Sequence, residues 1–320
     1  MTAIQTSALT KRFGEDVVAV DSLDLAVEEG EVYGFLGPNG AGKSTTINML
    51  LDFVRPSSGT ATVLGMDAQA EADKIRKNIG VLPEGASLYD RLTGVEHLEW
   101  VARMKDVEAD PYTILDRVGL DVEDGERAAG GYSKGMQQRL GFGMALISDP
   151  DLLILDEPSS GLDPTGMQEM RDIIREEAQN GTTVFFSSHI LAEVEAVCDR
   201  IGIMYDGRLV TTGTIEDLRD EIHLDTQITL EVAQQPETSV IEGISGVTAV
   251  EVEESAITAT CVDPSVKVDV VRAVAEETEV TDILSEAASL EQLFNTYTSA
   301  GEDEQISGDE RADAAVEVAE

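Results

Sequence analysis

Basic residues are scarce in this chain of 320 residues: Lys and Arg number 22 against 63 Asp and Glu, for a formal net charge of −41. Nucleic-acid binding runs on cations that neutralise phosphates, so the shortage excludes a generic nucleic-acid binder. It also disfavours direct adsorption to an anionic membrane surface. Cysteine is nearly absent. Cys198 and Cys261 stand far apart and form no metal or redox spacing, so a reduced cytoplasmic compartment is the default expectation. No uninterrupted apolar run reaches the roughly 18 residues of a membrane-spanning helix. Met1–Thr10 lacks a basic patch followed by an apolar block, so no secretory signal is expected. Apolar residues still make up 42%, enough for a real core. The length suits one large domain or two modest ones.

The carboxylates are spread along the whole chain, and Arg outnumbers Lys. Such a surface repels itself at low ionic strength. At about 1 M salt the Debye length falls to roughly 3 Å and the repulsion largely vanishes. The composition therefore reads as adaptation to a very salty cytoplasm. It predicts unfolding or inactivity in dilute buffer.

Residues 1–220 alternate short apolar runs with helical patterns and turn signals, as parallel βα units do. Strands are expected at Val32–Leu36, Ile79–Leu82, Leu152–Leu155, Val184–Phe186 and Ile201–Met204. Helices are expected at Lys43–Phe53, Leu92–Met104, Pro111–Val118 and Ser133–Ile147. Residues 84–150 thus form a mostly helical insert in an α/β core. From about 222 the texture changes. Thr226–Val232, Val247–Glu253 and Ala256–Cys261 alternate as half-buried strands, while Val266–Glu277 and Leu290–Tyr297 read as helices. Residues 222–300 are therefore expected to form a small α+β domain. Residues 301–320 hold eight carboxylates and one Arg with almost no large apolar group, and read as a disordered acidic tail.

Gly37-Pro38-Asn39-Gly40-Ala41-Gly42-Lys43-Ser44 fits G-x-x-x-x-G-K-[ST], with a strand before it and a helix after it. Glycines let the backbone curl so that successive N–H groups face a phosphate. The helix N-terminus adds partial positive charge. Lys43 can reach β- and γ-phosphates, and Ser44 can offer its hydroxyl to Mg²⁺. Further on, Leu152-Leu153-Ile154-Leu155-Asp156-Glu157-Pro158 sets four aliphatics ahead of two carboxylates. Ligands of α/β sheets bind at the carboxyl ends of strands. Asp156 is placed to hold Mg²⁺, and Glu157 to polarise the water that attacks a γ-phosphate.

The ordered set of Gly37–Thr45, Tyr132-Ser133-Lys134-Gly135-Met136-Gln137, Leu152–Pro158, Ser160-Gly161-Leu162-Asp163 and His189 resembles the nucleotide-binding subunit of an ATP-binding cassette (ABC) transporter. The resemblance covers about residues 4–220. The piece Ser289-Leu290-Glu291-Gln292-Leu293-Phe294 is similar, more weakly, to the small tail domain of many exporter ATPases. The resemblance implies an α/β P-loop NTPase of ABC type with a helical subdomain, followed by the small α+β domain. It implies ATP and Mg²⁺ as ligands. It implies a second copy paired head to tail and an integral membrane permease at the cytoplasmic face.

In the family the signature segment is usually Leu-Ser-Gly-Gly-Gln. Here Lys134 replaces the first glycine and Met136 the glutamine, a form similar to drug- and antibiotic-export branches. Ser133 and the Gly135 backbone can still cap a phosphate at a helix start. The resemblance implies that His189 contacts the γ-phosphate and that Ser160–Asp163 crosses the dimer interface. Phe13 is similar to the aromatic that stacks on adenine, where the family often has Tyr. Glu84 stands where the family usually has a Gln that binds Mg²⁺ and water. Leu88, Tyr89, Leu92 and Trp100 could dock the membrane partner, though a buried subdomain core explains them equally well. An importer ATPase or a soluble iron–sulfur assembly ATPase remain as alternatives to export. A long coiled coil, as in chromosome-maintenance members, has no room in the roughly 90 residues between loop and signature.

Overall fold

The structure, a computed structural model, describes residues 1–286 except 15, 86, 222–225, 254–255 and 264. The helix expected at Leu290–Tyr297, the segment Ser289–Phe294 and the acidic stretch 301–320 lie outside the described residues. The chain divides into two compact units, Met1–Thr214 and Ile215–Glu320.

The first unit opens with β1 (Thr2–Phe13), β2 (Val17–Leu23) and β3 (Ala26–Glu28), then β4 (Val32–Leu36) and α1 (Lys43–Leu50). β5 (Ser58–Val63), β6 (Met66–Asp67), α2 (Ala72–Asn78) and β7 (Ile79–Leu82) follow. A helical stretch then carries α3 (Gly94–Lys105), α4 (Pro111–Arg117), α5 (Val122–Gly125) and α6 (Lys134–Leu146). The core resumes with β8 (Leu152–Asp156), α7 (Pro164–Gln179), β9 (Thr183–Ser188), α8 (Leu191–Val197), β10 (Arg200–Tyr205) and β11 (Arg208–Gly213).

Two sheets result. One is antiparallel in the order β2-β1-β5-β6, with β3 also paired to β1. The other runs β11-β10-β4-β9-β8-β7. Its strands from β10 to β7 are parallel, and only β11 is antiparallel. Asp206 and Gly207 both adopt positive φ between β10 and β11, the backbone that a two-residue hairpin turn requires. Every residue of β4, β8 and β9 is buried. Tyr33 and Phe35 pack on Phe185 at centroid distances of 5.9 and 5.3 Å. Burying each aliphatic side chain of Leu152–Leu155 contributes about 1.5–3 kcal/mol. The parallel register brings Leu36, Leu82, Asp156 and Ser188 to one end of the sheet.

Helix ends follow local chemistry. Thr93 and Glu96 form a reciprocal capping box, so α3 starts at Gly94 and not at Leu92. Asp52 takes a left-handed φ of 55°, and α1 stops at Leu50 instead of running to Phe53. No described helix is long and apolar enough to cross a membrane.

The second unit contains α9 (Ile215–Glu221), β12 (Thr226–Val232), α10 (Thr238–Glu242), β13 (Val247–Glu253), β14 (Ala256–Cys261), α11 (Val266–Glu277) and β15 (Val280–Glu286). Its sheet is antiparallel in the order β13-β14-β12-β15. From β12 onward this is the β-α-β-β-α-β connection of ferredoxin-like sheets. Ile228, Leu230, Ile257 and Cys261 pack with Val270 and Val274 of α11 in one buried cluster.

Candidate active site

The loop between β4 and α1 is shaped by glycine at two close approaches. A Cβ on Gly42, whose φ is 107°, would lie 2.3 Å from the Ala19 carbonyl oxygen. A Cβ on Gly37 would lie 2.4 Å from the Met204 carbonyl oxygen. The curl lines a cavity of about 250 Å³ with Pro38, Asn39, Gly40, Gly42, Lys43, Ser44, Thr45, Glu84 and Glu157. Ala41 is buried beneath the loop. Gly42→Ala should displace this cradle and weaken ATP binding at least tenfold, measured by titration with a fluorescent nucleotide. An unchanged affinity would show that the loop does not need its left-handed residue.

Lys43 lies buried in this cavity. Its Nζ donates to Gly37 O at 2.7 Å and Pro38 O at 3.3 Å, and stands 3.5 Å from Glu157 Oε1. Asp156 ends β8, and its carboxylate accepts the hydroxyl proton of Ser187 on β9. Glu157 follows in left-handed backbone, φ 50°. A non-glycine residue there costs on the order of 1–3 kcal/mol. Several bonds offset that cost. Glu157 N–H donates to Ser187 O and Oγ, each at 3.2 Å. The buried Gln138 amide on α6 donates to Glu157 O at 3.3 Å and Pro158 O at 2.7 Å. The result leaves one carboxylate oxygen, Oε1, buried and without a hydrogen bond, with the Lys43 ammonium 3.5 Å away as its ion-pair partner. The other, Oε2, lies 2.8 Å from His189 Nδ1. A carboxylate only accepts, so this bond places the ring proton on Nδ1 and leaves Nε2 as the outward nitrogen.

Ser133 caps α6, its Oγ accepting the Met136 N–H at 3.2 Å. Gly135 packs against the following loop: a Cβ there would meet Gly161 O at 3.2 Å. Gly161 itself has φ 80° and lies under the Lys134 side chain. Leu162 is buried, and Asp163 caps α7 by accepting the Gly166 N–H at 2.9 Å. A second cavity, of about 600 Å³, opens beside this corner and is lined by Glu84, Asp90, Lys134, Gln137, Gln138 and Ser160, among others. Glu84 therefore borders both cavities.

The remaining expected residues sit apart from the loop. Phe13 is 47% exposed, with Lys11 Nζ 4.9 Å from its ring centroid, and it does not line the loop cavity. Tyr89 is 59% and Trp100 36% exposed, meeting edge to face at 5.7 Å. They are surface residues and not a subdomain core. Among the described residues no three His, Cys, Asp or Glu side chains cluster as a ready metal site.

The ABC transporter family model matches residues 20–160. The bacitracin transport ATP-binding protein of Bacillus licheniformis is 40% identical over 232 residues, covering 71% of this chain and 75% of that protein. The fluoroquinolones export ATP-binding protein of Mycobacterium tuberculosis is 37% identical over 235 residues, covering 68% and 78%. A solved ATP-binding subunit of an ABC transporter superposes with a TM-score of 0.64 at 29% identity, covering 69% of this chain and 93% of that one. The chain belongs to the ABC transporter ATP-binding family. It is an ATPase on an α/β P-loop fold.

The site of this ABC ATPase fits its ligands on its own geometry. The cradle at Gly37 and Gly42 has no room for a Cβ, which is what close backbone approach to phosphates demands. Glu157 Oε1 makes no hydrogen bond, only the ion pair to Lys43, and so has room to accept from a water. Ser44 and the buried Asp156 supply the hydroxyl and carboxylate oxygens that a hard divalent cation takes. Sequence reasoning missed Gln138 and Ser187, which hold the Glu157 backbone from 19 and 30 residues away. Gln138 lies five residues beyond the signature serine, on the helix that it caps. That proximity was a signal, but its target was invisible without the fold.

Proposed function

We propose that this ABC ATPase powers a membrane exporter of the drug and antibiotic class. The observation that carries the reading is Glu157: a buried carboxylate aimed into the phosphate-loop cavity, with His189 on its other oxygen. It supports a site built for turnover over one for passive nucleotide binding. Relatives named for bacitracin transport and fluoroquinolone export support the direction. Nothing of comparable weight supports an importer or a soluble assembly ATPase.

Two copies would pair head to tail. Each ATP would lie between one copy's Gly37–Thr45 and the second copy's Ser133 and Gly135. Phosphate oxygens would draw Lys43 away from Glu157. Glu157 Oε1 would then accept a proton from the attacking water, while His189, anchored to Glu157 Oε2 through Nδ1, would stand beside the γ-phosphate. Ser44 and Asp156 would hold Mg²⁺, with Glu84 bordering the loop cavity; when bound, the ion would supply positive charge to offset that of the phosphoryl group. Phe13 would stack on adenine, and Ser160–Asp163 would carry closure between the two sites. Closure would pass through residues 84–100 to an integral membrane permease, holding the subunit at the cytoplasmic face.

The test is purification of tagged chain from detergent-solubilised membranes in molar salt, with mass spectrometry of what copurifies. A stoichiometric multi-span protein is the expected result. Recovery with soluble partners alone would overturn the export reading.

A further inference from the structure

We propose that Glu193 positions His189 by way of Ser188. The inference rests on the active-site reading above. Glu193 is buried on α8, four residues past the histidine. Its Oε2 accepts the Ser188 hydroxyl proton at 2.9 Å. Its Oε1 is buried and has no hydrogen-bond partner. A half-satisfied buried carboxylate is costly and uncommon, and its persistence calls for a reason.

The reason lies on the two sides of the histidine. The Ser188 oxygen accepts the Ile190 N–H at 2.9 Å, so one hydroxyl spans the backbone of His189. Ser188 O accepts the Gly37 N–H at 3.3 Å, which fixes the same residue to the phosphate loop. Ile190 O accepts the Glu193 N–H at 3.2 Å and closes the ring. A hydroxyl has one proton. Glu193 takes it, which keeps it from the rival acceptor, Ile190 O, 3.4 Å away. Without the carboxylate that proton would turn to Ile190 O, tighten the turn and swing the ring off Glu157 Oε2. Glu193 also borders a small cavity with Pro158 and Ser159, just past Glu157, and with Met170 and Arg171 of α7. It therefore stands between the histidine turn and the segment that follows the base.

The experiment compares Glu193→Leu, Glu193→Gln, Ser188→Ala and their pairings in the full chain in molar salt. ATP turnover, ATP affinity and thermal midpoint are read for each. Leu fills the volume and removes the acceptor, so turnover should fall at least tenfold with ATP affinity held within about twofold. Gln restores an acceptor oxygen and should recover at least a third of parental turnover. Ser188→Ala should reproduce the loss, and Ser188→Ala with Glu193→Leu should be no worse than either alone. Parental turnover in Glu193→Leu, an equal loss in Glu193→Gln, or additive losses would each overturn the proposal. If Glu193→Leu fails to fold, Ser188→Ala at parental turnover overturns it alone. Glu157→Gln runs in parallel. If that variant keeps parental turnover, the active-site reading itself has failed, and not merely the role of Glu193.

Discussion

Glu157→Gln is expected to abolish steady-state hydrolysis, by at least a hundredfold, while ATP still binds. A general base contributes about 10²–10⁴ in rate. The substitution keeps the side chain's size and leaves an amide oxygen that can still accept from His189. It removes the negative charge 3.5 Å from Lys43 and the basic oxygen that makes no hydrogen bond. Binding depends on the glycine cradle and Lys43, which stay intact. ATP should therefore accumulate on a closed pair of subunits. Phosphate release and size-exclusion chromatography, with and without ATP, read the two effects separately. Phosphate release at the parental rate would take Glu157 out of the catalytic role. Loss of turnover without an ATP-dependent dimer would keep the base and reject the closure mechanism.

Transfer from molar salt to about 0.05 M is expected to unfold the chain or dissolve its tertiary packing, because the screening length grows from roughly 3 Å to beyond 10 Å. The ion pairs cannot prevent this. Many are local helix pairs, such as Arg76–Asp73, Arg103–Glu99 and Arg175–Asp172. Exposed pairs of that kind contribute about 0.3–0.5 kcal/mol each. Even with all 22 cations matched, most of the 63 carboxylates would stay unmatched. The chain carries its own reporters. The Cys198 thiol faces Gly34 in the core, where burial pushes its pKa well above the ordinary value, and Cys261 is fully buried. Both should react slowly with an alkylating reagent in molar salt and rapidly after dilution. Slow labelling and an unchanged circular dichroism spectrum in dilute buffer would reject the salt-adapted reading.

The phosphate loop and the strand Leu152–Leu155 were legible because they are contiguous and their residue types are dictated by steric and charge demands. β12, β13 and β14 have the bounds that their apolar alternation indicates. β1 was not legible. Ala8 takes a φ of 45°, and the pairing with β2 shifts register between Leu9 and Lys11 and again between Lys11 and Arg12. Each bulge flips the inward face, so no period of two survives. The supports of the base were hidden for a different reason. Gln138, Ser187 and Ser188 are ordinary polar residues in sequence. Only the parallel pairing of β8 with β9, which sets Asp156 opposite Ser187, turns them into a scaffold.

The amide of Gln138 that holds Glu157 in place grows from the helix whose first turn Ser133 caps. In a head-to-tail pair, that turn belongs to one nucleotide and that carboxylate to the other. In that proposed pair a nudge to α6 would be felt at both ends of the assembly at once. Neither copy could fall silent without handicapping its mate, and a mixed pair with one faulty Gln138 should work at well under half speed. On the proposed pairing, the smallest working machine would be two chains wide.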